Sequence, residues 1–323
     1  MEYGPRATLF LPVFRFASIE HNFIDIGGYK NRRRFRRTIR RFVSFQFIMA
    51  SSVVTVCNIL GIDKVNMDGK TILIEERHGS NANFLVNAIL SHALKKMNAA
   101  VCLVLCHNTF SHYHNIGMRF GYNLLNLKEK GQVTVVEPMK IIANNVTDMY
   151  ENFVDRTKTI IPDRTPMGDI DIVRRLFTCV KEKYEEAARF SKSVVLIIDD
   201  INHFLDLGLG IRHTMYFIRC LRSFVASYPS SQLCILAHIY QGNIQTSNTD
   251  IVVNTLKHIA HLCVTTQPFK TGHSGDASGK LTIHWKMNSI RSKYHLAEKT
   301  IYLFNSSDWQ VKIYAPGVMS ILS

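Results

Sequence analysis

The sequence predicts an α/β protein with a central, mostly parallel sheet and a β-rich antiparallel C-terminal part. Three observations carry this expectation. The run Ser193-Val194-Val195-Leu196-Ile197-Ile198-Asp199-Asp200 sets five consecutive apolar residues before two carboxylates, the pattern of a strand buried on both faces. Strand-like and helix-like segments alternate from Thr71 to Ala237, as parallel strands joined by helical crossovers require. Beyond Ala260 strand-like segments dominate, which adds antiparallel strands to the parallel core.

Each element follows from local pattern. Thr71 to Ile74 reads as a short strand, followed by a loop from Glu75 to Asn81. Phe84, Leu85, Ala88, Ile89 and His92 recur at helical spacing. Val101 to Cys106 is a second buried strand. Ser111 is the expected N-cap of a helix carrying Ile116, Phe120 and Leu124 and ending near Gly131. Val133 to Val136 is a third strand, and residues 137–168, with Pro138, Pro162 and Pro166, read as a surface excursion. Asp169 is expected to cap an amphipathic helix whose stripe is Ile172, Val173, Leu176, Phe177, Val180, Tyr184, Ala187 and Ala188. After the Asp-Asp strand, Gly208 and Gly210 precede a helix with Ile211, Met215, Ile218, Leu221 and Val225. Leu233 to Ala237 is a strand, and His238 to Thr249 a polar loop. The remaining strands are Ala260 to Thr265, Leu281 to Trp285, Lys299 to Phe304 and Gln310 to Tyr314.

Composition narrows the function classes. No uninterrupted apolar run approaches the roughly 18 residues that a membrane helix needs, so no membrane association is expected. The seven cysteines are odd in number and lack a spacing framework, which predicts reduced, buried thiols in a cytosolic or nuclear protein. Cys102 and Cys106 share a strand face, and with no second ligand pair nearby they read as core, not zinc ligands. The net charge of +14 is uneven: residues 1–48 hold ten Arg or Lys against three acidic residues and so carry half of it. That leader, with its block from Lys30 to Arg41, has the composition of a transit peptide or a nucleic-acid-binding arm. A third reading, a non-native leader ahead of a start at Met49, is favoured because a transit peptide would be richer in Ser. The expected organisation is this leader followed by one domain over residues 49–323. A basic body favours polyanionic partners.

Two carboxylates at the end of a buried strand occupy the place where a P-loop ATPase carries its Mg²⁺-holding aspartate. Such an enzyme needs a phosphate loop of the form G-x-x-x-x-G-K-[ST] after the first strand. The chain offers Glu75-Glu76-Arg77-His78-Gly79-Ser80-Asn81-Ala82-Asn83, with one glycine, no lysine and two carboxylates that repel a triphosphate. Asp199 is therefore expected to be a remnant of nucleotide-binding geometry, with no catalytic residue and no cofactor at this edge. His107, His112 and His114 cluster in sequence, but their spacing imposes no ligand geometry, and no metal is expected. No G-x-S-x-G elbow surrounds Ser111, which argues against a hydrolase. The glycine-rich segment Phe269 to Lys280 has two readings: a hairpin between strands, or a backbone grip on nucleic acid through Lys270 and Lys280.

Thr109-Phe110-Ser111-His112-Tyr113, Ile116-Gly117, Phe120-Gly121 and the segment Val194 to Gly210 together resemble the Elongator complex protein 6 family. The ending Lys299 to Ser323, with Ala315-Pro316-Gly317, is also similar, and the resemblance spans Met49 to Ser323. It implies a RecA-like three-layer fold without the usual nucleotide motifs. It also implies a non-enzymatic subunit, cytoplasmic and also nuclear. Such a subunit joins Elongator proteins 4 and 5 in a hetero-hexameric ring, which binds tRNA and serves the catalytic Elongator subcomplex in wobble-uridine modification. Two rivals remain: an active RecA-type ATPase, and a stand-alone nucleic-acid-binding protein driven by the leader.

Overall fold

The computed structural model describes residues 53–142, 168–240, 247–269, 277–306 and 311–315. The basic leader, most of the excursion at 137–168 and the segment 270–276 lie outside the described residues. The elements in chain order are α1 (residues 53–60), β1 (Lys70–Arg77), α2 (Asn83–Lys95), β2 (Ala100–Leu105), α3 (Phe110–Phe120), α4 (Leu124–Glu129), β3 (Val133–Val136) and α5 (residues 138–142). There follow α6 (Asp169–Phe190), β4 (Ser193–Asp199), α7 (His203–Asp206), α8 (Ile211–Ala226), β5 (Ser230–Ile239), α9 (Asn248–Ile259), β6 (Leu262–Pro268), β7 (Gly279–Trp285), α10 (Asn288–Tyr294), β8 (Lys299–Ser306) and β9 (Val311–Tyr314).

These strands form one nine-stranded sheet in the order β3-β2-β4-β5-β1-β6-β7-β8-β9. Every pairing from β3 across to β6 is parallel, and β7, β8 and β9 are added antiparallel. This is the RecA-like arrangement that the resemblance implies, with the C-terminal strands where the sequence puts them. No helix among the described residues is long and apolar enough to cross a membrane.

β4 anchors the core as its composition predicts. Side chains alternate between faces along a strand. Val194, Leu196 and Ile198 join one cluster with Val173, Leu176, Val180 and Tyr184 of α6 and Phe217, Ile218 and Leu221 of α8. Val195 and Ile197, equally buried, face the other way, where α2 covers β2 and β4. The sheet is thus a middle layer between helices. Cys102 and Cys106 belong to the same cluster, and burial pushes the Cys102 thiol up to about 12, so it stays protonated and acts as core.

Several local expectations are corrected. The helix expected from Ser111 to Gly131 is two helices. Thr109, not Ser111, caps α3 by accepting the His112 amide hydrogen, and Gly121 ends it in the left-handed conformation at φ 79°. The side chain of Tyr122 then folds back over Gly117, where an added Cβ would stand 2.7 Å from the ring, and Asn123 caps α4. Asp169 is the first residue of α6 rather than its cap; that place falls to Gly168, and Asp169 pairs with His213 at 3.1 Å. Helices α1, α9 and α10 escaped the sequence reading, as did the short α5 and α7. α1 buries Val53, Val56, Cys57 and Leu60, and its Leu60 carbonyl accepts the Trp285 indole hydrogen at 3.2 Å. α9 starts on a reciprocal Ser247–Asp250 capping box inside what reads as a polar loop, and α10 lies between β7 and β8.

Candidate functional site

The carboxyl ends of β2, β4, β5 and β1 lie side by side, which is where open α/β sheets place their ligands. Here the chain fills that edge with its own charged groups. β1 runs on to Arg77, three residues past the expected strand end, so Glu75 and Glu76 are strand residues and both are buried. Their faces alternate and so do their partners. Glu75 faces Lys257 of α9 at 2.8 Å, Arg77 at 3.1 Å and the Thr265 hydroxyl at 3.0 Å. Glu76 instead turns to the loop that leads into α2.

That loop is only His78 to Ala82, and the amides of His78, Ser80 and Ala82 are committed. The His78 amide donates to the Ile239 carbonyl, Ser80 to the Arg77 carbonyl, and Asn83 to the Asn81 side chain. The Ala82 amide, at the start of α2, donates to Glu76 Oε2 at 2.7 Å. A helix N-terminus in this position is the ready anion site of phosphate-binding loops. In this chain the anion is a carboxylate of the neighbouring strand.

Glu76 continues into a relay across three adjacent strands. Its register partner on β5 is His238, whose Nε2 stands 2.8 Å from Glu76 Oε1. His238 Nδ1 lies 2.7 Å from Asp200 Oδ2, an ion pair rather than a linear hydrogen bond. Burial opposes charge on this ring, but hydrogen bonds and charges from Asp200 and Glu76 outweigh it and raise its pKa to about 10. His238 is therefore a cation between two carboxylates.

Asp199 and Asp200 part company at the end of β4. Asp199 is the last strand residue, buried, and its Oδ2 accepts the Asn108 amide hydrogen at 2.8 Å. Burial raises its pKa, and the Asn108 hydrogen bonds work against that. Asp200 adopts φ 57°, a conformation that Asp tolerates because its side chain bonds nearby backbone: Oδ1 accepts the Asn202 amide hydrogen at 3.1 Å. This turn brings α7 back over the edge. His203 of α7 then meets His107, with Nε2 and Nδ1 2.7 Å apart and the rings stacked at 4.8 Å.

The sequence cluster of His107, His112 and His114 is not a spatial unit. His107 lies in the loop after β2 and joins His203, Asp200 and His238, while His112 and His114 ride on α3. Sequence reasoning missed His203, His238 and Glu76 as a group. The available signal was topological: each stands at the carboxyl end of a predicted strand or just after one. Lys280 lies within β7, opposite Gln267 and Leu303, so the hairpin reading of that segment is the one its flanking strands adopt; Lys270 lies outside the described residues. Gly279 is required at the base, since a Cβ there would stand 2.5 Å from the Gln267 carbonyl oxygen.

A family model described as Elongation complex protein 6 matches residues 55–308. The chain belongs to this family. Elongator complex protein 6 of Rattus norvegicus is 27% identical over 266 residues, covering 81% of this chain and 96% of that protein. The Homo sapiens protein of the same name is 27% identical over 260 residues, covering 79% and 93%. Among solved structures, the uncharacterized protein PH0321 from Pyrococcus horikoshii, in complex with an unknown peptide, superposes with a TM-score of 0.50 at 13% identity, over 79% of this chain and 95% of that one. That likeness concerns the fold alone. Membership of the family supports a role as an Elongator subunit.

Proposed function

We propose that this chain is a non-catalytic, architectural subunit of the Elongator accessory ring. It assembles with Elongator complex proteins 4 and 5 into a hetero-hexamer, in the cytoplasm and also the nucleus, and supports tRNA binding for the catalytic subcomplex that modifies wobble uridine. One observation carries the non-catalytic part: the Ala82 amide, where a phosphate would sit, is bonded by Glu76 Oε2 at 2.7 Å. The absence of a lysine in the loop supports the same reading. Asp199 accordingly serves as a strand-end hydrogen-bond acceptor.

The tRNA part rests on charge. The chain is basic, and Lys70, Arg219, Arg222 and His261 line one pocket at the opposite edge of the sheet. Lys270 and Lys280 are the loop-side candidates. Affinity purification from cells, followed by quantitative mass spectrometry, tests the assignment. Recovery of Elongator proteins 4 and 5 in equal amounts with this chain is expected, and their absence overturns it. Deleting residues 1–48 is expected to leave ring-dependent tRNA binding intact. Loss of binding on that deletion favours the leader-driven nucleic-acid-binding protein instead.

A further inference from the structure

We propose that His107, His203 and Asp200 form a binding site for one divalent transition-metal ion of the zinc class. The three donor atoms are His107 Nδ1, His203 Nε2 and Asp200 Oδ2, and all lie within 4.8 Å of one another. They come from two segments that only the sheet brings together: the loop after β2, and the turn from β4 into α7.

The donor set is backed by a second carboxylate. His203 Nδ1 stands 3.1 Å from Asp206 Oδ2. A carboxylate behind an imidazole in this way fixes the tautomer of metal-ligating histidines and directs the other nitrogen's lone pair at the ion. His203 Nε2 lies 2.7 Å from His107 Nδ1 and 3.3 Å from Asp200 Oδ2. Asp200 Oδ2 can only accept, and its other side is held by His238 at 2.7 Å. Two imidazole nitrogens and one carboxylate oxygen thus converge, and one divalent ion can bridge all three.

One of the three spacings already fits a tetrahedral ion, and the other two, within a 4.8 Å limit, must adjust around it. Metal–nitrogen bonds of about 2.0–2.1 Å put two tetrahedral donors about 3.3 Å apart. The His203–Asp200 spacing of 3.3 Å already meets this. The His107 ring must back away by about 0.6 Å to reach the tetrahedral spacing, and its exposed position gives it room. Two imidazoles and one carboxylate select borderline first-row ions over Mg²⁺ or Ca²⁺, and the solvent side leaves a fourth position for water. The ion would tie the loop after β2 to α7, across the edge that nucleotide occupies in an ATPase. This site is independent of the ring assignment.

The test uses the full chain, purified and treated with chelator, then titrated with Zn²⁺ against a micromolar chromophoric chelator and with Co²⁺ by absorption spectroscopy. One equivalent of Zn²⁺ and a tetrahedral Co²⁺ spectrum are expected, with a rise in melting temperature on Zn²⁺ addition. His107→Ala and His203→Ala are each expected to weaken Zn²⁺ binding by more than tenfold. Asp206→Asn is expected to cost on the order of tenfold through loss of the supporting carboxylate. His258→Asn, at an exposed position on α9, is expected to bind as the unaltered chain does. Failure to compete with the chelator overturns the proposal. So does binding that survives in a His107→Ala/His203→Ala double variant. His107 is exposed, so its variant stays folded and decides the matter even where His203→Ala does not.

Discussion

Replacing Glu76 by Ala tests whether the chain's own carboxylate holds the nucleotide edge together. The substitution removes the acceptor of the Ala82 amide and one of two carboxylates around His238, at a side chain 11% exposed. Each charge-assisted hydrogen bond is worth about 1.5–3 kcal/mol, and breaking a buried pair costs about 3–5 kcal/mol. His238 keeps Asp200, and water can enter the gap, so the lower end applies: about 3 kcal/mol. For a folded body of this size that lowers the melting temperature by roughly 6–9 °C. Glu76→Gln keeps an oxygen for Ala82 while losing the charge, and is expected to cost about half as much. Glu186→Gln, which breaks an exposed pair with Lys183, is the control and is expected to change stability by less than about 0.5 kcal/mol. Thermal and urea unfolding of the purified chain measure all three. A Glu76→Ala protein within about 0.5 kcal/mol of the parent refutes the argument, because the edge would then be held without its carboxylate.

Three further outcomes are expected. His261 Nδ1 accepts the Thr71 amide hydrogen at 2.9 Å, and burial first, then Arg222 and Lys70, lowers its pKa below the ordinary 6.5. Below that value the unfolded chain holds more protons than the folded one, so this contribution is intact above 6.5 and lost as pH falls toward the lowered value. The slope is at most about 1.4 kcal/mol per pH unit, and melting curves of His261→Asn should show it reduced. Gly117→Ala places a Cβ 2.7 Å from the Tyr122 ring, and overpacking of this kind costs about 1–3 kcal/mol by urea unfolding. Ser247→Ala removes the capping box of α9, with an expected loss of about 1 kcal/mol by the same assay.

How legible the molecule is in its sequence depends on how local each signal is. β4 is legible because a run buried on both faces must be continuously apolar, and its end is legible because two carboxylates stop it. β1 is read short for the same reason. Glu75, Glu76 and Arg77 look like a loop, yet they pair with β5 and β6 because Lys257, His238 and the Ala82 amide neutralise them. Tertiary charge pairing overrides local polarity there. α9 is hidden because its first turn, Asn248 to Asp250, is polar; the Ser247–Asp250 spacing and Val252, Val253 and Leu256 were the available cues. The site itself is only half legible. That the loop lacks a lysine is visible in one stretch. That Glu76, His238, Asp200, His203 and His107 converge depends on strand order, which brings residues over a hundred positions apart onto one edge.

The same convergence makes a prediction about nucleotide. The carboxyl edge of a parallel sheet collects strand ends and a helix N-terminus whose donors must be satisfied. In an ATPase the triphosphate and its Mg²⁺ satisfy them, so the empty protein gains stability on binding. In this chain Glu76 bonds the Ala82 amide, and His238 lies between Glu76 and Asp200. A phosphate entering within about 4 Å of the Glu76 carboxylate meets a repulsion of about 4 kcal/mol per pair of charges at the effective dielectric of such sites. No lysine in the loop offsets it. A ligand present at 100 times its dissociation constant adds about 2.7 kcal/mol to stability, which roughly 5–8 °C of melting temperature would report. Millimolar Mg-ATP is therefore expected to leave the melting temperature of the full chain unchanged. A shift of that size, abolished by Asp199→Asn, would show that the edge still takes nucleotide and that Glu76 swings aside to admit it.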